Sequence, residues 1–361
     1  MKKIVLLSAA AVCLFVAACK KSSNNNSTTV TEAQVLNDFV NVIALPEYAN
    51  LQVKATALNA AVNTLNTTPN DANLAAAQQA WRDIRTSWET CEGFLFGPVE
   101  DYSYDPNTDT WPVDYVQLDS LIGHSTSFTV PIVASLNQTL RGYHPLEFIL
   151  WGQSSHATGD SIASASASEK EYMVSLSQDI LNNIDSLNTS WAVSGGDFQL
   201  QVLQPGKGGT RYSTNQAVFL AIVGAMSDIC GEVGQMTSDG KIYGPYYTQD
   251  SFQTESPFSH NSMIDFKNNI IGAQNTYLCT FNGTSGASLS AFVAARNLSL
   301  DNTIKADFTA AINALNDVNT TFEEAIFTQR TQLMSAMTAL NTLQAELDGN
   351  LTTFVQTYVK D

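Results

Sequence analysis

Long runs of this chain repeat an apolar residue every third or fourth position, and nowhere does a two-residue alternation persist. The clearest run follows Pro69-Asn70-Asp71, where Leu74, Ala77, Trp81, Ile84, Trp88 and Cys91 advance by alternating threes and fours and form one stripe along a helix. The same reading predicts a helix over 31–66, opened by a capping box at Thr29-x-x-Glu32 and kinked or split at Pro46. Further helices are predicted over 114–121, around 130–141, after Gly142, and, past a Ser/Ala/Gly loop over 154–168, from a capping box at Ser168-x-x-Glu171 to about residue 188. The second half predicts helices over 215–236, 262–278, 288–297, 301–326 and 329–359, interrupted by a polar, tyrosine-rich loop over 237–260. The fold class is therefore all-α. Gly195-Gly196 and Pro205-Gly206-Lys207-Gly208-Gly209 divide the long helices into two sets of about four, which predicts two antiparallel helical bundles over 31–195 and 210–361, each with its own core and packed across an interface.

The net charge of -17 excludes nucleic acid as a partner, because that recognition needs a basic face. The N-terminus has a separate logic. Met1-Lys2-Lys3 is a basic start, Ile4 to Phe15 is too short to span a bilayer as a helix, and Val16-Ala17-Ala18 places small residues before a cysteine. This order resembles the lipobox of bacterial lipoproteins. The resemblance implies a signal peptide over 1–18, lipidation of Cys19, attachment to a membrane through it, and a disordered polar tether over 19–30. Lys20, rather than Asp, follows the cysteine, which by the same resemblance favours the outer membrane. Cys91, Cys230 and Cys279 then remain, enough for one disulfide at most, with no zinc-knuckle or CxxC spacing.

Candidate chemistry concentrates in Gly142-Tyr143-His144-Pro145-Leu146-Glu147, since the chain has only four histidines. Gly142 ends one segment and Pro145 suits the first turn of the next helix, so His144 is expected at the N-cap and Glu147 at the third helical position. Spacing alone leaves two roles open for the pair. Glu147 can reach back to the His144 amide as a capping-box carboxylate worth about 1 kcal/mol, or imidazole and carboxylate can serve as N and O ligands for iron, zinc, copper or manganese. The zincin signature H-E-x-x-H is absent, the Glu-x-x-His pair of di-metal bundles is absent, and no G-x-S-x-G elbow offers serine chemistry. Additional ligands must come from elsewhere, with Glu92, Asp114, Glu255 and His260 as candidates. Arg82, Arg85, Glu89 and Glu92 fall off the apolar stripe and read either as a solvated face or, because Glu92 opens the turn Gly93-Phe94-Leu95-Phe96-Gly97-Pro98, as part of a site. Trp111-Pro112 reads as a packed plug in a loop.

These residues resemble the imelysin family of bacterial envelope proteins. Gly142, His144 and Glu147 match its G-x-H-x-x-E motif, and Trp81 to Pro98, Trp111-Pro112-Val113-Asp114, Glu147 to Gly152 and Glu255-Ser256-Pro257-Phe258-Ser259 match further blocks in family order. His260, Asn261 and Ser262 depart from the usual pattern after the last block. The resemblance implies two helical bundles with the motif near their interface, a role in iron acquisition alongside iron-uptake components, and in some members a peptidase classification. It leads to an expected envelope lipoprotein that holds iron or another divalent transition metal, free or chelated, between its domains. The expected ligands are His144, Glu147 and Glu92, with Arg85 as orienter and with Glu89, Trp111, Asp114, Tyr143, Glu255, Ser256 and His260 lining the site. The alternatives are a metal-dependent peptidase with Glu147 as general base, and a structural or partner-binding lipoprotein.

Overall fold

The computed structural model describes residues 30–360 apart from 125–126 and 153–154. The signal peptide, Cys19 and all of the tether except Val30 lie outside the described residues.

The first helix is Glu32–Asp38. Thr31 is its N-cap and exchanges hydrogen bonds with Gln34, so the capping box is Thr31-x-x-Gln34 and not Thr29-x-x-Glu32. A π-helical stretch, Phe39–Ala44, then runs directly into the helix Leu45–Thr67. Pro46 neither splits nor ends the rod. The Leu45 N–H bonds the Val40 carbonyl, five residues back, and this wider turn makes room for a proline that cannot donate.

Leu45–Thr67, Asp71–Cys91 and Ala167–Trp191 pack side by side as the first bundle. Asn215–Gly234, Ser262–Leu278, Leu298–Asn316 and Arg330–Glu346 form the second. The Ala167–Trp191 helix is capped by Ser166, and Glu171, expected to close a capping box with Ser168, instead accepts the Phe128 N–H. The predicted loop over 154–168 contains a short helix, Gly159–Ser164. The helix predicted around 130–141 is only Val130–Ala134 followed by a 3-10 turn at Gln138–Leu140. The predicted 301–326 helix is two, Leu298–Asn316 and Phe322–Thr328, separated by the short turn Asp317 to Thr321, in which only Val318 is buried. A two-residue hairpin, Thr280–Phe281 with Thr284–Ser285, turns on Asn282 and Gly283, both at positive φ. Asn-Gly is the signal for such a turn, and the helical patterns on either side of it mask the two short strands.

The two bundles meet where Ser262–Leu278 crosses the end of Asp71–Cys91. The backbones come so close that a Cβ on Gly272 would fall 2.1 Å from the Thr90 carbonyl oxygen. Buried apolar side chains continue from one bundle into the other as a single cluster. Cys91, Cys230 and Cys279 are free, buried thiols.

Candidate metal centre

Gly142 sets the direction in which the motif leaves its loop. Its φ of 85° with ψ of -153° suits only glycine, and a Cβ there would fall 2.2 Å from the Thr108 carbonyl oxygen. The helix Tyr143–Trp151 starts at once, so Gly142 is the N-cap and His144 lies inside the first turn rather than at the cap. Pro145 is third in the helix, where its missing N–H would have no intrahelical acceptor. Glu147 does not reach back to the His144 backbone amide. Its Oε1 accepts from the Phe258 N–H at 3.1 Å, the Ser259 N–H at 2.7 Å and the Ser259 hydroxyl at 2.7 Å. The carboxylate thus ties the motif helix to a loop of the second half, and the capping-box role falls away.

Three of the four charges beside the apolar stripe are not solvated, while Arg82 is half-buried. Arg85 and Glu89 are fully buried and Glu92 nearly so. The Arg85 guanidinium contacts Glu89 and Asp109, approaches Glu255 Oε1 at 3.0 Å, and faces Asp265 Oδ1 across 3.8 Å from its Nε. Burial works against its charge, but the four acids more than compensate and hold its pKa above the ordinary arginine value. Lys241, also buried, lies 3.0 Å from Glu255 Oε1 and 3.1 Å from Glu232. Tyr143 closes the near side, with Arg85 stacked over its ring at 5.2 Å and its carbonyl accepting from the Trp81 indole.

His144 sits against two acids, its Nε2 3.1 Å from Asp109 Oδ1 and its Nδ1 3.6 Å from Glu147 Oε2. Neither contact is aligned as a hydrogen bond. Burial lowers the imidazole pKa, but the acids outweigh it and push it up to about 9. For Asp109 burial raises the pKa, and Arg85 with His144 reverses this and holds the carboxyl well below the usual range. Burial pushes Glu89 and Glu92 upward. Asp265, which accepts from Ser256 Oγ and Asn261 Nδ2, is pushed up to about 6, again by burial.

The structure redistributes the expected residues. Asp109, His144 and Glu255, from a loop, the motif helix and a second loop, each bring a ligand atom to within 4.8 Å of the others. Asp109 Oδ2, Glu255 Oε2 and both His144 nitrogens lack hydrogen-bond partners. One imidazole and two carboxylates form a donor set that suits a first-row divalent ion. Ser256 lies behind this set, on Asp265. Glu92 groups with Glu89 and Asp109 instead of with His144. The Trp111 indole donates to the Thr254 carbonyl at 2.7 Å, so it braces the loop that carries Glu255. Asp114 is not in the site: its Oδ1 accepts from the Gln117 N–H at 2.9 Å and caps the helix Tyr115–His124. His260 is not in the site either. It is exposed and pairs with Glu323 at 2.9 Å.

Sequence reasoning missed Asp109, Lys241, Asp265 and Asn269, whose side chain donates to Glu89. Only Asp109 carried a signal, as one of several acids in an Asp-, Tyr- and Pro-rich stretch.

A model of the family described as Imelysin matches residues 44–347. Iron-regulated protein A of Synechococcus elongatus is 32% identical over 246 residues, which are 68% of this chain and 64% of that protein, so the match spans less than two thirds of the relative's length. The solved structure of a protein named as an iron-regulated protein A precursor, from Parabacteroides distasonis, superposes with a TM-score of 0.81 at 24% identity, over 92% of this chain and 97% of that one. An imelysin-like protein from Psychrobacter arcticum gives 0.68 at 12% identity, over 90% and 95%. These two likenesses show the all-α fold, while the family match runs through both bundles and the motif helix, and the chain belongs to the imelysin family.

Proposed function

We propose that this chain is a cell-envelope protein of iron acquisition that binds a divalent transition-metal ion, iron foremost, through Asp109, His144 and Glu255. The observation that carries the reading is the convergence of these three buried donors, with partnerless atoms, from three separate segments. Buried polar atoms without partners are costly, on the order of 1–3 kcal/mol each, and a cation removes that cost. The iron association is supported by the name of the Synechococcus elongatus relative, and the envelope location and lipid anchor by the order of basic, apolar and small residues before Cys19.

In this reading Arg85 orients Asp109 and Glu255 while neutralising part of their charge. Glu147 is a positioning residue. Its grip on Ser259 holds the loop carrying Glu255 against the helix carrying His144. A bound ion would supply Lewis acidity at a place this chain keeps dry.

Anaerobic titration of the full chain, purified in mild detergent, with Fe2+ measures the claim. His144→Ala and Asp109→Asn should each weaken binding at least tenfold, in line with the usual 10–100-fold effect of disturbing a metal site. Equal affinity in the variants and the parent would remove the reading.

A further inference from the structure

A second set of buried donors adjoins the first. Glu89 and Glu92 lie three residues apart where the helix Asp71–Cys91 passes into a 3-10 turn at Glu92–Phe94, so their side chains share a face. Together with Asp109 they offer three carboxylate oxygens within 4.8 Å of one another. Asp109 therefore belongs to both sets. Its Oδ1 faces Arg85 and His144, while its Oδ2 has no hydrogen-bond partner in a side chain that is 2% exposed. Glu89 divides its oxygens similarly: Oε2 takes the Asn269 amide, and Oε1, fully buried, faces Arg85 without an aligned hydrogen bond.

The charges point the same way. Six carboxylates with buried side chains, on Glu89, Glu92, Asp109, Glu147, Glu255 and Asp265, gather near two buried cations, Arg85 and Lys241, and the half-buried Arg82, which acts on Glu147 and Asp265. The acids outnumber the cations, and a cation held by Glu89, Glu92 and Asp109 would offset part of the excess. A buried charge persists only when paired or coordinated. Arg85 cannot meet the demand alone, since its two terminal nitrogens already serve three acids.

We infer that this chain holds two divalent cations side by side, one on Asp109, His144 and Glu255 and a second on Glu89, Glu92 and Asp109, with the Asp109 carboxylate bridging them. The inference rests on the single-centre reading above and adds a second ion to it. Two ions that share a carboxylate are magnetically coupled, which separates a pair from two distant sites.

The test loads the full chain with Mn2+, removes loose metal by gel filtration, and records the metal-to-protein ratio and the electron paramagnetic resonance spectrum. Two Mn2+ per chain with a broadened, coupled signal is the expected result. Glu92→Gln should leave one Mn2+ per chain and restore the resolved six-line spectrum of an isolated ion. Glu89→Gln gives the same readout should Glu92→Gln fail to fold by circular dichroism. One Mn2+ per chain with a six-line spectrum, lost in His144→Ala and unchanged by both glutamine variants, would overturn the second ion while sparing the first. A chain that retains none would overturn both.

Discussion

At the scale of single residues, the interior is more acidic than its helical pattern suggests. Glu47 is an example away from the candidate centre. It lies in the first turn of Leu45–Thr67, 1% exposed, with Oε2 3.9 Å from the Cys91 thiol, and burial pushes its carboxyl up to about 8. The folded state thus prefers the protonated form. The stability it contributes is complete below the unfolded carboxyl pKa of about 4.3, is lost as pH rises through about 8, and is level above that. A Glu47→Gln variant keeps the shape without the titration. Between pH 5 and pH 8 it should gain about 3–4 kcal/mol relative to the parent in urea unfolding. Parallel pH profiles for the two proteins would show that Glu47 ionises without penalty. The same kind of burial decided the fate of Arg85, Glu89 and Glu92. Their spacing beside the Leu74 to Cys91 stripe was legible, but whether that face met water or a second bundle was not, because periodicity describes one helix and not its neighbours.

At the scale of elements, glycines mark where segments must approach or turn. Gly142 carries both constraints, a backbone conformation other residues avoid and the Thr108 carbonyl where a side chain would go. Gly283, in the hairpin, has a φ of 78°, but a Cβ there would meet nothing within 4 Å. Gly142→Ala should therefore cost more than Gly283→Ala, roughly 3 kcal/mol or above against about 1 kcal/mol, in chemical denaturation. The Gly142 variant should also lose Fe2+ affinity, since His144 and Glu147 follow on the helix it launches, while the Gly283 variant should not. Equal losses at both positions would mean that the tight approach at Thr108 contributes nothing. Helix boundaries repeat the lesson. Ser262–Leu278 coincides with its predicted span, whereas the predicted caps at Thr29 and Ser168 give way to neighbours, Thr31 and Ser166, that fit the observed turns better.

At the scale of the whole molecule, the two bundles share buried charge as well as apolar surface. Arg85 comes from the first and its partners Glu255 and Asp265 from the second, next to the crossing at Gly272. Calorimetry of the parent should show one unfolding transition. Arg85→Met should lower it, with a loss on the order of 3–5 kcal/mol, because the substitution leaves several carboxylates uncompensated. Two resolved transitions in the parent, with only the first moved by the variant, would make the bundles independent.

The chain by itself determined that it is helical, where most long helices run, that Gly142, His144 and Glu147 form its distinctive chemistry, and which family blocks surround them. These features are local, set by the period of the apolar residues, by turn chemistry and by spacing along one helix. Tertiary structure decided which side chains gather at the candidate centre. Asp109 entered it and His260 and Asp114 left it, Glu147 became a tie between loop and helix, and Lys241 arrived from the second half. The physical reason is that a donor set depends on distances between segments far apart in sequence, and on whether each charge is left in water or enclosed, and only the packed chain specifies either.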